Sequence, residues 1–270
     1  MLFDILLVAG AGVMCAALRT FRHPGIFRLG TLGLVATSFL AGWLLGGSLA
    51  MGVIFASTWF LMPWLEILTR VRRMRLPVER RMCPCPPPSR VAFPSLGDLS
   101  DEMEAGGFEH AEDVCWTHED TKHFYRLYLN RERDTIGAIS LVEQPEMAFY
   151  YISFRTRSSD GRVATTWNYP FSFGLHPFPG SRVQRLDGGE SVGQMMERHG
   201  QLVEAEFGPH GCAVTGAAPS EELQDDLCGQ LAHNIACGIL CREGDQMIRY
   251  TARGMFFLWF QFLRDFVRFS

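Results

Sequence analysis

The chain has 270 residues, 47% of them hydrophobic, with 25 Lys and Arg against 29 Asp and Glu and a formal net charge of −4. That balance argues against nucleic-acid binding, because phosphate contacts need a basic surface. Lysine occurs once, at Lys122, with no glycine loop before it, which removes P-loop nucleotide hydrolysis and Schiff-base chemistry from the candidates.

Residues 1–18 are apolar apart from Asp4 and just long enough to cross a bilayer. The only early side-chain charge is negative, and Met14 stands where a small residue belongs before Cys15, so the segment reads as a retained span rather than a cleaved signal. The stretch 29–68 then carries one charge, Glu66, near its end. At ~1.5 Å per residue a single helix of that length would reach ~60 Å, about twice the hydrocarbon thickness. Gly46, Gly47 and Ser48 permit a reversal near its middle, predicting spans at 29–45 and 49–68 in preference to one tilted helix with an amphipathic extension.

Arg19, Arg22 and Arg28 follow the first span, Arg70, Arg72, Arg73, Arg75, Arg80 and Arg81 follow the third, and the 45–48 turn is uncharged. Arginine collects on the cytoplasmic side of short loops. Three spans put both basic segments there, which predicts a multi-pass protein of the bacterial-type inner membrane with its soluble part in the cytoplasm. Trp59 and Trp64 fall near the inner end of the third span, where indole rings favour the headgroup level. Gly42 and Gly46 form a GxxxG pair, and Ser48 and Gly52 a second small-residue pair. Such spacing lets helices approach closely, either within the three-helix unit or against a membrane partner or second copy. The hairpin has no ionisable residue at mid-membrane depth, so an ion pathway lacks its usual groups.

Segment 70–90 reads as a basic juxtamembrane stretch followed by a proline-rich linker. Its Cys83-Pro-Cys85 has no second Cys or His pair nearby to complete four metal ligands. From 91 to 244 the composition becomes that of one globular domain with an acidic surface, 24 Asp and Glu against 11 Lys and Arg. A helix begins after Ser95 and stops at Gly106-Gly107. Strand-like stretches follow at 112–117, 123–130, 135–143, 147–156 and 162–171, with side chains alternating in the second and fourth, and Pro170, Pro177 and Pro179 should end the sheet. Helices are predicted at 191–207 and from Pro219 to about Arg242. The expected fold is α+β, an antiparallel meander with helices packed against one face. The tail, 245–270, projects as an amphipathic helix. Arg249, Arg253, Arg264 and Arg268 lie on one side, and Ile248, Met255, Trp259, Phe262 and Phe266 on the other, suited to the membrane interface or to covering the sheet.

Two constellations could carry chemistry. His110, His118, Asp120 and His123 surround the first two strands and could converge for acid–base work or metal binding. His233, Cys237 and Cys241 are spaced four residues apart on the last domain helix. As metal ligands they are strained, since turns ~5.4 Å apart spread three donors along the axis, and buried cysteine packs as a small apolar residue. Arg155, Arg157 and Arg162 flank the Asp160-Gly161 turn and could receive an anion or simply be solvated. No cofactor motif is present: GxGxxG, GxSxG and HExxH are absent. The leading expectation is a membrane protein presenting a cytoplasmic binding or sensing domain. The alternatives are a tethered hydrolase or metalloenzyme using the His/Asp cluster, and a scaffold subunit of a membrane complex.

Overall fold

The computed structural model describes residues 2–21, 23–130, 134–171, 174–186, 189–208 and 217–268. Three apolar helices open the chain: α1 (Leu2–Leu18), α2 (Pro24–Gly46) and α3 (Leu49–Thr69). Two helical stretches, Gly25–Gly46 and Leu49–Arg73, are long and apolar enough to cross a membrane, and α1 is shorter, with 17 residues. Helix α2 starts earlier than the apolar run suggests, because Pro24 sits in its first turn and His23 Nδ1 accepts from Gly25 N at 3.2 Å. It ends on Gly47 in the left-handed region (φ 69°), whose N–H donates to Trp43 O, and Ser48 Oγ then caps α3 by accepting from Met51 N. The hairpin seam is tight. A Cβ at Gly42 would stand 2.4 Å from Met51 O, and one at Gly52 would stand 2.9 Å from the Phe39 ring. Gly42, Gly46 and Gly52 are thus used inside the hairpin, with Ser48 as its cap.

A 3₁₀ turn (Val71–Arg73) leads to β1 (Leu76–Pro77) and β2 (Cys83–Pro84). The basic juxtamembrane stretch and the proline-rich linker after it are thus each paired into a sheet at one point. After α4 (Leu96–Ala105) come β3 (Glu109–His118), β4 (Thr121–Asn130), β5 (Thr135–Glu143), β6 (Ala148–Arg157), β7 (Val163–Trp167) and β8 (Ser181–Arg185). They form a seven-stranded sheet in the order β2-β3-β4-β5-β6-β7-β8. It is an antiparallel meander through β7, but β8 pairs parallel to β7. The prolines break the strand without ending the sheet, because the 168–180 connection is long enough to return the chain in the same direction.

Helix α5 (Val192–Phe207) begins with a capping box between Ser191 and Gln194. With α4 it covers one face, over a core of Met103, Phe108, Phe124, Tyr128, Phe154 and Met195. Helix α6 (Pro219–Ala236) lies on the opposite face, so helices cover both faces rather than one. Gly238 (φ 71°) stops α6 short of Arg242, and β9 (Leu240–Glu243) and β10 (Met247–Tyr250) follow as a hairpin turning at Gly244 (φ 72°). The C-terminal helix α7 (Ala252–Arg268) thus begins after a strand, with Thr251 Oγ1 accepting from Gly254 N, and Ile248 and Arg249 belong to β10. β10 also pairs with β1, giving a small sheet β1-β10-β9. Its core joins Ile67 at the end of α3 to Leu231, Ile239, Leu240, Ile248 and Leu258, so the apolar hairpin and the sheet domain share buried contacts.

Candidate functional site

Alternation in the large sheet places Val114, Trp116, His123, Tyr125, Leu127, Ser140, Tyr151, Arg155 and Arg157 on the face opposite α4 and α5. Two elements cover this face. Helix α6 is held by ion pairs: Asp226 meets both Arg155 and Arg157, the latter at 2.7 Å, and the buried Glu222 lies 3.9 Å from Arg157. The segment between β1 and β2 crosses the other end. Just before β1 the Arg75 carbonyl accepts from His118 Nε2 at 2.8 Å, and within the crossing segment Met82 N donates to Gln224 Oε1 of α6 at 3.1 Å.

That crossing segment carries Arg80. Its guanidinium carbon stands 5.1 Å from the centre of the Trp116 ring, and the same indole stacks on His123 at 4.0 Å with the planes 6° apart. Arg155 and Arg157 on this face meet carboxylates. Among the described residues Arg80 meets none, its Nε is sealed from solvent without a hydrogen-bond partner, and so is Trp116 Nε1. Around Arg80 lie phenols instead: Tyr125, Tyr151 and Tyr250, the last donating to Gly174 O at 2.9 Å. Burial pushes Tyr250 up to about 12 and Tyr151 well above the ordinary tyrosine range, so both stay neutral donors. Burial lowers His123 to about 4, assisted by the charges of Arg80 and His118, so its imidazole is neutral at pH 7. Burial also lowers Arg80, against the pull of the tyrosines, but a guanidinium keeps its proton.

The four residues expected to converge are spread apart. His110 bonds to Asp113 Oδ1 at 3.0 Å on the α4 side, His118 holds the Arg75 carbonyl, Asp120 is exposed at the β3–β4 turn, and only His123 reaches the enclosure. Burial alone would raise Asp113, but hydrogen bonds from Arg126 and His110 hold its carboxyl below the usual range. The second trio also separates. Cys237 caps α6 with its Sγ 3.4 Å from His233 Nε2, whereas Cys241 lies on β9 opposite Arg249, because Gly238 reverses the chain between them. Cys83 faces Cys115 across the β2–β3 pair, and the Cys85 thiol is pushed up to about 12 by burial and by Cys115, which opposes thiolate ligation. No group of three or more His, Cys, Asp or Glu among the described residues could hold a metal ion. Arg162 bonds to Asp160 and to the Glu206 carbonyl, and Arg155 and Arg157 pair with Asp226, so each arginine around that turn already meets a carboxylate of the chain.

Of the residues expected near a bilayer, Arg28, Arg70, Arg72, Arg73, Arg249 and Arg253 are exposed. Arg19 lies over the rings of Phe27 and Phe266, at 5.1 and 5.6 Å. Arg75 pairs with Glu243, and Arg264 is half-buried on α7. Trp59 donates to Ser38 Oγ and stacks on Phe266, Trp64 meets Phe256 edge-on, and Trp259 donates to Phe60 O. Arg22 and the side chain of Arg268 lie outside the described residues.

The enclosure itself was not legible as a site. Arg80 reads in the sequence as one member of a basic run, and only the His123/Tyr125 alternation hints at a face for it. Compared with protein-family models, with curated proteins and with solved structures, the chain matches none.

Proposed function

We propose that this chain is an inner-membrane protein of the bacterial type, crossing three times, whose cytoplasmic α+β domain binds or senses a ligand at the enclosure around Arg80. The observation that carries the reading is how little the two long apolar helices are buried: 17% and 11% of their most apolar windows lie inside the protein. The core helix of a water-soluble domain would hide most of that surface. Helix α1, at about 25 Å by its rise per residue, stands at the lower end of the length range for a span and supplies the third crossing. The arginine-rich segments after α1 and α3 give the orientation. Helix α7 runs beside α3 with Phe256 and Phe260 exposed next to the apolar hairpin, which suits a helix lying at the inner interface.

Sensing follows from the connection. The end of α3 shares a core with β9 and β10, β1 pairs with β10, and the next residues carry Arg80 across the large sheet. A ligand held at Arg80 therefore pins a segment that joins the small sheet to the large one.

The test is labelling. Cys83 is exposed on the soluble side, and a membrane-impermeant maleimide should leave it untouched in intact cells and label it once they are opened. Labelling in intact cells overturns the orientation. A purified chain that stays monodisperse without detergent overturns the membrane reading.

A further inference from the structure

We infer that the enclosure around Arg80 is a binding site for an amphiphilic monoanion, a molecule with one carboxylate or phosphodiester head on an apolar body. The inference rests on reading this face as the binding site and adds the chemistry of what it binds.

Burying a guanidinium away from water is costly unless an opposite charge accompanies it. This fold supplies that charge elsewhere on the same face: Asp226 and Glu222 of α6 neutralise Arg155 and Arg157. At Arg80, which is half-buried with its Nε sealed from solvent, no described carboxylate does so, and the cation rests on the π face of Trp116. Two donors, Arg80 Nε and Trp116 Nε1, are sealed from solvent without acceptors, and the guanidinium carbon is only 5.1 Å from the centre of the ring that bears the second. Unpaired N–H groups of this kind, one charged, call for an oxyanion. The planar fork of arginine matches two oxygens of a carboxylate or phosphate.

The charge count narrows the class. One unmatched guanidinium balances one negative charge, and the neighbouring tyrosine hydroxyls and neutral His123 add hydrogen-bonding capacity without adding charge. A dianionic phosphate monoester or a polyphosphate would keep an uncompensated charge against a domain that is already acidic. The groups packed around Trp116, among them Met82, Tyr125 and Leu223, are apolar or aromatic, a setting compatible with a hydrocarbon or ring attached to the head. A membrane phospholipid and a small organic acid both have this chemistry.

The full-length protein, reconstituted in phosphatidylcholine nanodiscs, is heated with octanoate, with octanol as neutral control, or with part of the lipid replaced by phosphatidylglycerol. Octanoate or phosphatidylglycerol should raise the unfolding temperature, by roughly 5–10 °C at a free concentration about 100 times Kd, and octanol should not. The arm that responds identifies the source, soluble acid or lipid. Arg80→Gln should abolish the shift. Arg80→Met, which removes the unmatched cation, should be at least as stable as the wild type without added anion and should ignore both anions. The inference is overturned if neither anion stabilises the wild type, if Arg80→Gln responds equally, or if Arg80→Met is markedly less stable without anion, since Arg80 is then only a packing residue. A chain that inserts and labels as proposed but ignores both anions loses this ligand class alone. A chain that is monodisperse in plain buffer and still responds to octanoate loses the membrane reading and keeps the site.

Discussion

At position 199 an imidazole is shut inside the domain with both ring nitrogens engaged, Nε2 with Thr156 Oγ1 and Nδ1 with Thr166 Oγ1, each at 3.0 Å. Burial lowers it from the usual 6.5 to about 4, so the folded protein keeps it neutral where the unfolded chain would protonate it. Between those two values the unfolded state binds more protons, and folding stability therefore rises with pH. The contribution is complete above about pH 6.5 and is lost as pH falls toward 4, amounting to about 3 kcal/mol. His123, lowered to the same value, loses stability in the same window. Denaturant unfolding followed from pH 7 to 4 should show this decline, and His199→Gln, which keeps polar contact with the threonines, should remove roughly half of the slope. Parallel curves for the two proteins would contradict it. His199 is legible in the sequence as an inward position beside Met195 and Met196, but its threonines come from β6 and β7, more than thirty residues away. Arg80 was hidden for a related reason: a basic run after a span has one familiar meaning, and only tertiary packing separates the arginine that turns inward from those that face water.

Among the elements, α6 depends on charge more than its neighbours do. Helix α5 buries Met195 and Val192 in an apolar core, whereas α6 sets Asp226 between Arg155 and Arg157, with the side chains of Arg155 and Asp226 only 10% and 18% exposed. Removing one partner of a buried pair leaves an uncompensated charge and costs roughly 3–5 kcal/mol, while replacing every partner by apolar groups is often near neutral. Asp226→Ala should therefore lower stability by about that amount, and Arg155→Met/Arg157→Met/Asp226→Leu/Glu222→Leu, which removes all four charges, should recover most of it. A loss below about 1 kcal/mol for the single change would mean that the pairs behave as solvated surface contacts. The start of α6 was readable at Pro219-Ser220, β4 and β6 from their alternation, and β5 as a strand-like run between them. Its end was not: the pattern Leu231, Ile235, Ile239 continues in helical register through a glycine that reverses the chain. The same difficulty hid β9 and β10, which are only four residues each. Their partner β1 is two residues long and is specified by pairing across the chain, not by local composition.

Over the whole molecule the chain closes on itself. It leaves α3, pairs β1 with β10, and returns through α7 to pack against α3, so the last helix and the third are bound to each other as well as to the small sheet. Pro63 offers no N–H to the turn before it, and backbone carbonyls freed in this way need partners, most of all in lipid. The carbonyl that loses its helical donor is that of Trp59, four residues before the proline; Trp259 reinforces the adjacent one by donating its indole N–H to Phe60 O at 2.8 Å, while Trp64 packs against Phe256 and Trp59 against Phe266. Arg185 meets Asp265 at 3.5 Å and ties the polar side of α7 to the large sheet. These contacts make α7 a clasp between hairpin and sheet, and Trp259 is its central residue. In nanodiscs, Trp259→Ala should speed amide hydrogen exchange across α7 and β10 and leave the protection of β4 and β5 unchanged, because the large sheet has its own core. Trp259→Phe retains the ring and loses only the donor, so it should give a smaller change in the same amides. If exchange accelerates evenly through both sheets, the molecule unfolds as one cooperative unit and α7 is no separate clasp. If α7 keeps its protection without Trp259, the helix is held from the sheet side through Asp265 instead.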